Sequence, residues 1–303
     1  MMPPTLHILE NDHWQIGILP ETGASVAFGR VKQGDSSRDV MRPTDPADYD
    51  DPSLCASFVL IPWSNRIRDA RFRFHGQEYP LEPNSADGNA IHGDTRRRTW
   101  QAESAGSERL SLSFNSTAHN QVNFPWQFSA LVEYWLDGAD FGMTLSLKNI
   151  DEEAFPAGFG QHPYFVRTDD VQLELPVDQH YPLVHAMPTG AAEPMIPDLD
   201  FRALRRLGDV PKLDNLFRGR QGDRPARIVY PSWDLELAIT SDPIFEHLIA
   251  FAPEGKPFFA VEPVTNANDG FNLFEQGIAG SGVFVLEPGE EKRGQIRLRT
   301  VGL

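Results

Sequence analysis

Short apolar segments separated by turn residues are the feature that most limits what this chain of 303 residues can fold into. Segments 13–19 and 24–31 flank a Pro-Glu-Thr-Gly turn, and segments 128–136 and 141–149 flank an Asp-Gly turn. Such pairs predict β-hairpins, because strands of this length are commonly joined by tight turns of glycine, proline and aspartate. About a dozen or more such strands, spaced by roughly 8 to 12 residues, are typical of a β-sandwich.

The predicted fold class is therefore all-β. Segment 197–207 is the only stretch in which apolar residues follow a convincing helical spacing. The chain has no internal repeat, no low-complexity tract and no break in composition. Together these features predict one large antiparallel β-sandwich domain over residues 1–303.

Charge and cysteine content narrow the class of ligand. The formal net charge of −16 at pH 7 repels nucleic acid and anionic membrane surfaces and does not attract phosphorylated substrates in general. Cys55 is the only cysteine, which excludes an internal disulfide and a cysteine-rich metal site. The first residues do not have the pattern of a signal peptide, and no segment has the roughly 18 apolar residues that span a bilayer. We therefore expect a cytoplasmic enzyme or binding protein, a monomer or homodimer, whose partner is a small neutral molecule.

The segment 158–165, Gly-Phe-Gly-Gln-His-Pro-Tyr-Phe, carries the first candidate for chemistry. Its two glycines indicate that the backbone comes close to another group. Pro163 removes a ladder donor and favours an extended His162, so we expect the imidazole to lie where a strand ends and a cavity begins. A histidine in this setting can move protons at neutral pH. The alternative is a core histidine that is hydrogen-bonded to a carbonyl.

Two further polar groups follow apolar or turn-rich segments. Asn65 and Arg66 come directly after the apolar segment 56–63, as when a sheet delivers side chains to a pocket. His92 precedes Gly93 at the end of a turn-rich stretch, so a second imidazole lies beside a backbone with room for a ligand. Arg66 can instead be the partner of a structural ion pair.

Two carboxylates complete the set of candidates. Asp214 lies in a short apolar context, and Glu262 follows four apolar residues, which predicts a carboxylate at least half buried. Burial raises the pKa of such a group unless hydrogen-bond donors hold it ionised. No metal-binding motif, glycine-rich phosphate loop or activated serine accompanies these residues. A carboxylate base with imidazole acids, and neither metal nor cofactor, suits proton transfer on a neutral polar substrate.

The order and context of these residues resemble the aldose 1-epimerase (galactose mutarotase) family over about residues 14 to 300. Each motif is weak alone, but six in the family's order are specific. They are Asn65-Arg66-Ile67 with Phe74, Gly76 and Leu81 after it, Ile91-His92-Gly93, Phe124-Pro125, His162-Pro163-Tyr164-Phe165, Leu213-Asp214 and Val261-Glu262-Pro263. The resemblance implies a galactose mutarotase-like supersandwich.

The resemblance also implies a role for each residue. Glu262 corresponds to the family's general base and His162 to its general acid. His92, Arg66 and Asp214 correspond to groups that bind sugar hydroxyls or the ring oxygen, and Asn65 accompanies them. In this scheme Glu262 is ionised and His162 protonated. We expect the nearby carboxylates to raise the pKa of His162 in spite of its burial.

The residues after Gly93 depart from the family pattern, because many members have a second glycine there and this chain continues Asp-Thr-Arg-Arg-Arg. Arginines in succession, Arg96 to Arg98, are most often a solvated strand edge, and a phosphate cradle is the other interpretation. The run is similar to a branch that includes hexose-6-phosphate 1-epimerases, so a phosphorylated hexose is an alternative substrate. A non-catalytic sugar-binding protein and a retaining glycosidase with Asp214 and Glu262 as its carboxylate pair are further alternatives.

Overall fold

The computed structural model describes residues 4–210 and 212–302, which form mainly short antiparallel strands. In chain order the first strands are β1 His7–Glu10, β2 Trp14–Leu19, β3 Ser25–Gln33, β4 Ser36–Asp39, β5 Ser57–Leu60, β6 Arg66–Ile67, β7 Arg71–Phe74, β8 Gln77–Pro80, β9 Ala90–Ile91, β10 Gln101–Ala105, β11 Arg109–Asn115, β12 Phe128–Asp137, β13 Asp140–Asn149 and β14 Phe155–Ala157. They continue with β15 Gly160–Val166, β16 Gln172–Glu174, β17 Val177–His180, β18 Leu183–Val184, β19 Met187–Pro188, β20 Glu193–Pro194, β21 Arg205–Arg206, β22 Leu213–Arg220, β23 Ala226–Tyr230, β24 Leu235–Ser241, β25 His247–Ala252, β26 Phe258–Val264, β27 Phe284–Leu286 and β28 Glu291–Gly302. The predicted all-β class is confirmed.

Two large sheets contain most of these strands. The first has the order β1-β2-β3-β5-β15-β26-β25-β22-β17-β20, with β4 added beside β3. The second has the order β10-β11-β12-β13-β28-β24-β23-β16-β21. Two-stranded pairs join β6 with β9, β7 with β8, β14 with β27 and β18 with β19. The hairpins predicted within 13–31 and 128–149 form as β2–β3 and β12–β13.

Alternation along the strands places the core between the two sheets. In β11 the side chains of Leu110, Leu112 and Phe114 are buried, and the residues between them are more exposed. Successive side chains of a strand point to opposite faces, so each sheet buries one face in this way. Ile16 of the first sheet and Tyr134 of the second belong to the same buried apolar cluster. This packing is the β-sandwich that the sequence predicts.

The helix predicted over 197–207 is wrong. The segment contains a 3₁₀ turn, Pro197–Leu199, and then strand β21, which pairs with β16. The Phe201 carbonyl accepts a hydrogen bond from the Leu175 N–H at 2.7 Å, so backbone groups that a helix would use serve a neighbouring segment instead. Within the described residues the one α-helix is α1, Gly270–Glu275, whose six residues are too few for a recognisable period. The other 3₁₀ turns are Pro46–Asp48, Pro52–Leu54, Arg68–Ala70, Thr95–Arg97, Ser116–Ala118, Leu207–Asp209 and Pro231–Trp233.

The outer face of the first sheet has its own, smaller apolar cluster. Phe58 of β5, Leu216 of β22 and Ile249 of β25 belong to it. Leu273 from α1 is part of the same cluster, and Leu183 from β18 packs against it. Parts of this face are therefore covered, and a cavity opens on it above the central strands. None of the helices in residues 4–210 and 212–302 is long and apolar enough to cross a bilayer.

Candidate active site

The register between β15 and β26 places His162 opposite Glu262. The flanking ladder pairs are Gly160 with Val264 and Tyr164 with Ala260. Proline follows both His162 and Glu262, and a proline has no N–H to donate, so the ladder is interrupted at this pair. The Nε2 atom of His162 lies 3.2 Å from Oε1 of Glu262. Two titratable side chains are thus held side by side on adjacent strands rather than on flexible loops.

The glycines before His162 allow side chains of strand β26 and the segment after it to approach the backbone closely. A Cβ atom at Gly160 would lie 2.6 Å from Cγ1 of Val264, and one at Gly158 would lie 2.1 Å from Oδ1 of Asn266. Real Cβ atoms are not found at these distances, so a side chain at either position would force its neighbour to move. The close approach predicted from the sequence is confirmed.

Strand β15 does not end at His162, so that expectation is wrong. The strand continues to Val166, and the Tyr164 N–H donates to the Ala56 carbonyl on the β5 side. Alternate N–H groups of a strand point in opposite directions, so the nitrogen of Pro163 faces β26. The ladder with β26 is already interrupted there, and a proline can therefore sit within a central strand.

Strands β25 and β22 add Asp214 to the same face. In β25, Ile249 pairs with Glu262, and Phe251, two residues later, pairs with Asp214 of β22. Residues two apart on a strand point to the same side of the sheet. Asp214 therefore shares the outer face with Glu262, although the two residues are 48 positions apart in the sequence and lie on strands separated by β25.

Two loops bring Asn65, Arg66 and His92 over this face. Arg66 of β6 pairs with Ile91 of β9, and the His92 N–H donates to the Asn65 carbonyl at 2.9 Å. Asn65 and His92 have φ angles of 52° and 64°, a conformation that costs energy for residues other than glycine. Arg66 also pairs with Asp87, its Nε lying 2.9 Å from Oδ2, so the ion-pair interpretation of Arg66 is correct as well.

All six residues selected from the sequence line one cavity of about 140 Å³. They are Asn65, Arg66, His92, His162, Asp214 and Glu262. Four further residues line it and were not predicted as site residues: Ile91, Tyr164, Ile249 and Phe251. The alternation of β15 could have indicated Tyr164, two residues after His162, whereas nothing in the sequence distinguishes Ile249 or Phe251 from core residues. Among the described residues no group of three or more His, Cys, Asp or Glu side chains is arranged to hold a metal ion.

Burial controls the protonation of Glu262. Its side chain is almost fully enclosed, with 1% of the residue exposed. Burial raises the pKa of Glu262 well above its usual value, and the nearby charge of Asp214 raises it further. Arg66 acts in the opposite direction with a smaller effect. The burial predicted from the four preceding apolar residues is confirmed.

Burial also controls His162, in the direction opposite to our expectation. The residue is 5% exposed, and burial lowers the pKa of His162 to about 3, with Arg96 and Arg42 contributing to the decrease. The expectation that neighbouring carboxylates raise the pKa of His162 is therefore wrong. The sequence does not indicate that two guanidinium groups lie near this imidazole.

The His162–Glu262 pair holds a single proton over a wide pH range. A neutral imidazole beside a protonated carboxyl group and an imidazolium beside a carboxylate contain the same number of protons. The two forms differ only in which side of the 3.2 Å contact carries the proton. The pair can therefore act as one acid–base unit, whose apparent pKa values belong to both groups.

Aromatic packing orients the imidazoles of the site. The Phe58 ring centroid lies 4.8 Å from that of His162 and 5.6 Å from that of His92. The Nδ1 atoms of both histidines are buried and have no hydrogen-bond partner among the described residues. His162 is therefore not the carbonyl-bonded core histidine of the alternative interpretation. That description fits His247, whose Nδ1 lies 2.8 Å from the Thr265 carbonyl oxygen.

The arginines after His92 do not form a solvated strand edge, and that expectation is wrong. Arg96 lies in the 3₁₀ turn Thr95–Arg97 and is 6% exposed, with its guanidinium 5.3 Å from the centroid of the Phe58 ring. Burial lowers the pKa of Arg96 to about 10, and its buried Nε has no hydrogen-bond partner in the described part of the chain. Arg98 pairs with Asp94 at 2.8 Å.

A substitution at Gly93, next to His92, tests whether the backbone of this loop requires glycine. Its φ is +66°, and a Cβ there would lie 1.9 Å from the Ile61 carbonyl oxygen. We expect Gly93→Ala to lower the free energy of unfolding by about 3 kcal/mol or more in urea titration, because strain and a backbone clash add. Gly76, at φ +80° with open space around it, is the matched control. Gly76→Ala should cost only about 1 kcal/mol, and equal losses for the two variants would contradict the clash.

The fold and the site define a β-sandwich with a buried histidine–glutamate pair in a cavity, and known proteins are similar to this chain. The family model for aldose 1-epimerase matches residues 8–299, so the chain belongs to the aldose 1-epimerase family. It is 30% identical over 245 residues to the uncharacterised protein YihR of Escherichia coli (strain K12), a match that covers 78% of this chain and 76% of YihR. It is 25% identical over 194 residues to the aldose 1-epimerase of the same strain, which covers 58% of this chain and 55% of that enzyme.

Solved structures agree with the fold. A galactose mutarotase-like protein from Clostridium acetobutylicum is 20% identical and has a TM-score of 0.86, with 98% of this chain and 95% of that chain covered. The galactose 1-epimerase from Lactobacillus acidophilus NCFM is 17% identical and has a TM-score of 0.79, with 97% and 93% covered. The predicted galactose mutarotase-like sandwich is therefore confirmed.

Proposed function

We propose that the protein is a cofactor-independent aldose 1-epimerase that interconverts the α- and β-anomers of a free hexose of the glucose or galactose type. The observation that carries the proposal is the buried His162–Glu262 pair, with its 3.2 Å contact, in a cavity lined by Asn65, Arg66, His92 and Asp214. Family membership supports the same chemistry.

The reaction needs one proton removed from the anomeric hydroxyl and one proton supplied to the ring oxygen, two oxygens that are bonded to the same carbon atom, C1. Glu262 takes the proton of the anomeric hydroxyl while His162 gives a proton to the ring oxygen. The bond between C1 and the ring oxygen breaks, and C1 and the former hydroxyl oxygen form the aldehyde. Rotation about the C1–C2 bond then allows closure on the other face, with the proton transfers reversed.

The geometry of the pair suits this exchange. The anomeric oxygen and the ring oxygen are both bonded to C1, so the acid and the base must lie close together, as His162 and Glu262 do. One proton shared by the pair is sufficient, since the proton gained from one oxygen replaces the proton given to the other. General acid and general base catalysis each contribute on the order of 10² to 10⁴-fold.

The remaining polar residues can hold the sugar. Arg66 can donate to hydroxyl oxygens, and Asp214 can accept from hydroxyl groups. Asn65 accepts the Arg66 N–H at 2.9 Å through its Oδ1, which leaves the amide nitrogen to donate. The ring centroids of His92 and His162 are 5.3 Å apart. His92 can therefore contact an oxygen that is bonded to C1.

Polarimetry on freshly dissolved α-anomers tests the proposal directly. We expect the protein to accelerate the approach to anomeric equilibrium of α-D-glucose or α-D-galactose. Sugar binding without acceleration over a panel of aldoses would favour the non-catalytic alternative. Hydrolysis of aryl glycosides would favour the glycosidase alternative, in which Asp214 and Glu262 act as the carboxylate pair.

A phosphorylated hexose is the second candidate substrate, and Arg96 is the observation that favours it. A buried guanidinium without a partner for its Nε can bind an anion. Arg96, Arg97 and Arg98 line a groove of about 590 Å³ that also contains Gly93, the residue after His92. The net charge of −16 acts against this candidate, because it repels a phosphate ester over long distances.

Substitution of Arg96 separates the two substrates. We expect the wild-type protein to have a higher kcat/KM for the free hexose than for glucose 6-phosphate. Arg96→Gln should not lower kcat/KM for glucose 6-phosphate more than it lowers kcat/KM for the free hexose. Loss of a charge-assisted hydrogen bond costs about 10-fold or more in kcat/KM. A wild-type preference for glucose 6-phosphate that drops by this factor in Arg96→Gln, while Arg97→Gln retains it, would establish the phosphorylated substrate. Arg97 is the control because its side chain is 54% exposed.

A further inference from the structure

Asp87 holds the guanidinium of Arg66 from outside the cavity. The Nε of Arg66 donates to Asp87 Oδ2 at 2.9 Å, and Nη1 of Arg66 lies 3.4 Å from Oδ1 of Asn65. Asp87 is not among the residues that line the cavity, whereas Arg66 and Asn65 are. The orientation of Arg66 toward the cavity therefore depends on Asp87, which does not line the cavity itself.

The loop that carries Asp87 is closed by its own hydrogen bonds. The Asn89 N–H donates to Oδ1 of Asp87 at 3.2 Å, and the Asn84 side chain bonds both the N–H and the carbonyl of Ile91, at 2.6 Å and 3.1 Å. His92 follows directly. One loop thus fixes the partner of Arg66 and also places the second imidazole of the site.

The negative charge of Asp87 partly offsets the positive charge of Arg66. Partial burial disfavours the carboxylate, but hydrogen bonds from Arg66, Ser85 and Asn89 together hold the pKa of Asp87 well below its usual value. Asp87 is therefore ionised at neutral pH, beside a permanently charged guanidinium. Arg96 differs, since no described carboxylate forms an ion pair with it. A compensated guanidinium still donates hydrogen bonds but attracts anions less strongly than a free one.

We propose that Asp87 is a positioning residue for the epimerase reaction, which fixes the guanidinium of Arg66 and partly offsets its charge, so that Arg66 favours neutral sugar hydroxyls over small anions. This inference rests on the proposed function, because that function assigns Arg66 to the substrate. It extends the proposed function by giving a physical reason why Arg66 prefers uncharged sugar hydroxyls.

Two substitutions separate position from charge. Asp87→Asn keeps one oxygen that can accept from Arg66, but it removes the charge and the second acceptor, which the Asn89 N–H uses. Because the bond to Arg66 is kept, KM for the hexose should change by less than about threefold. Inorganic phosphate should then inhibit competitively, with an inhibition constant at least about fivefold lower than for the wild type. Asp87→Ala removes the acceptor as well, and KM should rise about tenfold with kcat within about threefold. The measurements are initial rates with and without phosphate at constant ionic strength.

Asp39→Asn is the matched control, because Asp39 forms a similarly exposed ion pair with Arg30 at 2.6 Å, outside the candidate site. It should change neither KM nor the effect of phosphate. Wild-type kinetics and unchanged phosphate inhibition in both Asp87 variants would overturn the inference. So would a loss confined to kcat, which indicates a role at the reacting atoms. If Asp87→Ala does not fold, Asp87→Asn alone decides through phosphate inhibition.

The inference can also be tested independently of catalysis. If the wild-type protein accelerates no aldose, the proposed function fails, and thermal unfolding with added phosphate then decides the role of Asp87. A phosphate-dependent rise in Tm that is larger in Asp87→Asn than in the wild type and Asp39→Asn would support the offset of the Arg66 charge by Asp87. Equal responses of the three proteins would contradict it.

Discussion

Glu262→Gln should lower turnover at neutral pH by at least about 10²-fold while the fold and sugar binding persist. Glutamine has nearly the shape of glutamate and can still donate and accept hydrogen bonds, but it cannot take up a proton. Because the site is almost closed to solvent at this position, with 1% of Glu262 exposed, water does not replace the missing base. The change therefore removes proton transfer and little else.

Stability distinguishes this effect from simple unfolding. Burial raises the pKa of Glu262, so the contribution of this group to stability is complete below its unfolded-state pKa and is lost as pH rises through the folded-state value. The neutral amide of glutamine does not ionise, so the variant does not lose this stability as pH rises. We therefore expect Glu262→Gln to unfold in urea at the same concentration as the wild type or a higher one at pH 8.

A matched control is available at the surface. Glu290→Gln changes a carboxylate that lies in the turn before β28 and pairs with Lys292 at 2.7 Å. It should leave turnover unchanged, which shows that loss of one negative charge from the protein is not the cause. Near-normal turnover in Glu262→Gln would instead transfer the base role to another carboxylate, with Asp214 the first candidate.

The candidate site could be predicted from the sequence because each of its residues interrupts a local pattern. Glu262 ends an apolar run, His162 lies two residues after a glycine and directly before a proline, and His92 follows a turn-rich stretch. These are local signals, and all of these residues line the cavity. Their neighbours Ile249 and Phe251 do not interrupt the apolar pattern of their strand. Their presence in the cavity depends on strand register, which the sequence does not specify by itself.

Predictions failed where the outcome depends on contacts between distant segments. Arginine is usually an exposed residue type, but the guanidinium of Arg96 packs over Phe58, which lies 38 positions earlier in the chain. Burial of His162 itself, together with the nearby charges of Arg96 and Arg42, lowers the pKa of His162 instead of raising it. The apolar spacing of 197–207 fits a helix, yet pairing of β21 with β16 determines its structure.

The pH profile of turnover should be bell-shaped, with the singly protonated His162–Glu262 pair as the working form. The lower limb reports addition of a second proton, and the upper limb reports loss of the last one. Because burial lowers the pKa of His162 to about 3 and raises the pKa of Glu262, the plateau should be wider than for unperturbed side chains. A plateau narrower than the interval between ordinary glutamate and histidine values would contradict these directions.

His162→Asn should remove most of the turnover, at least about 10²-fold, and should also remove the upper limb. Asparagine donates a hydrogen bond but cannot transfer a proton, so the residual reaction depends on ionised Glu262 alone. The ionised fraction of Glu262 grows as pH rises, and residual activity should therefore increase with pH without a later decrease. His180→Asn is the control, since His180 is a buried histidine of β17 outside the cavity. An active His162→Asn protein with an unchanged upper limb would make His162 a structural residue, and His92, at 5.3 Å between ring centroids, would become the candidate acid.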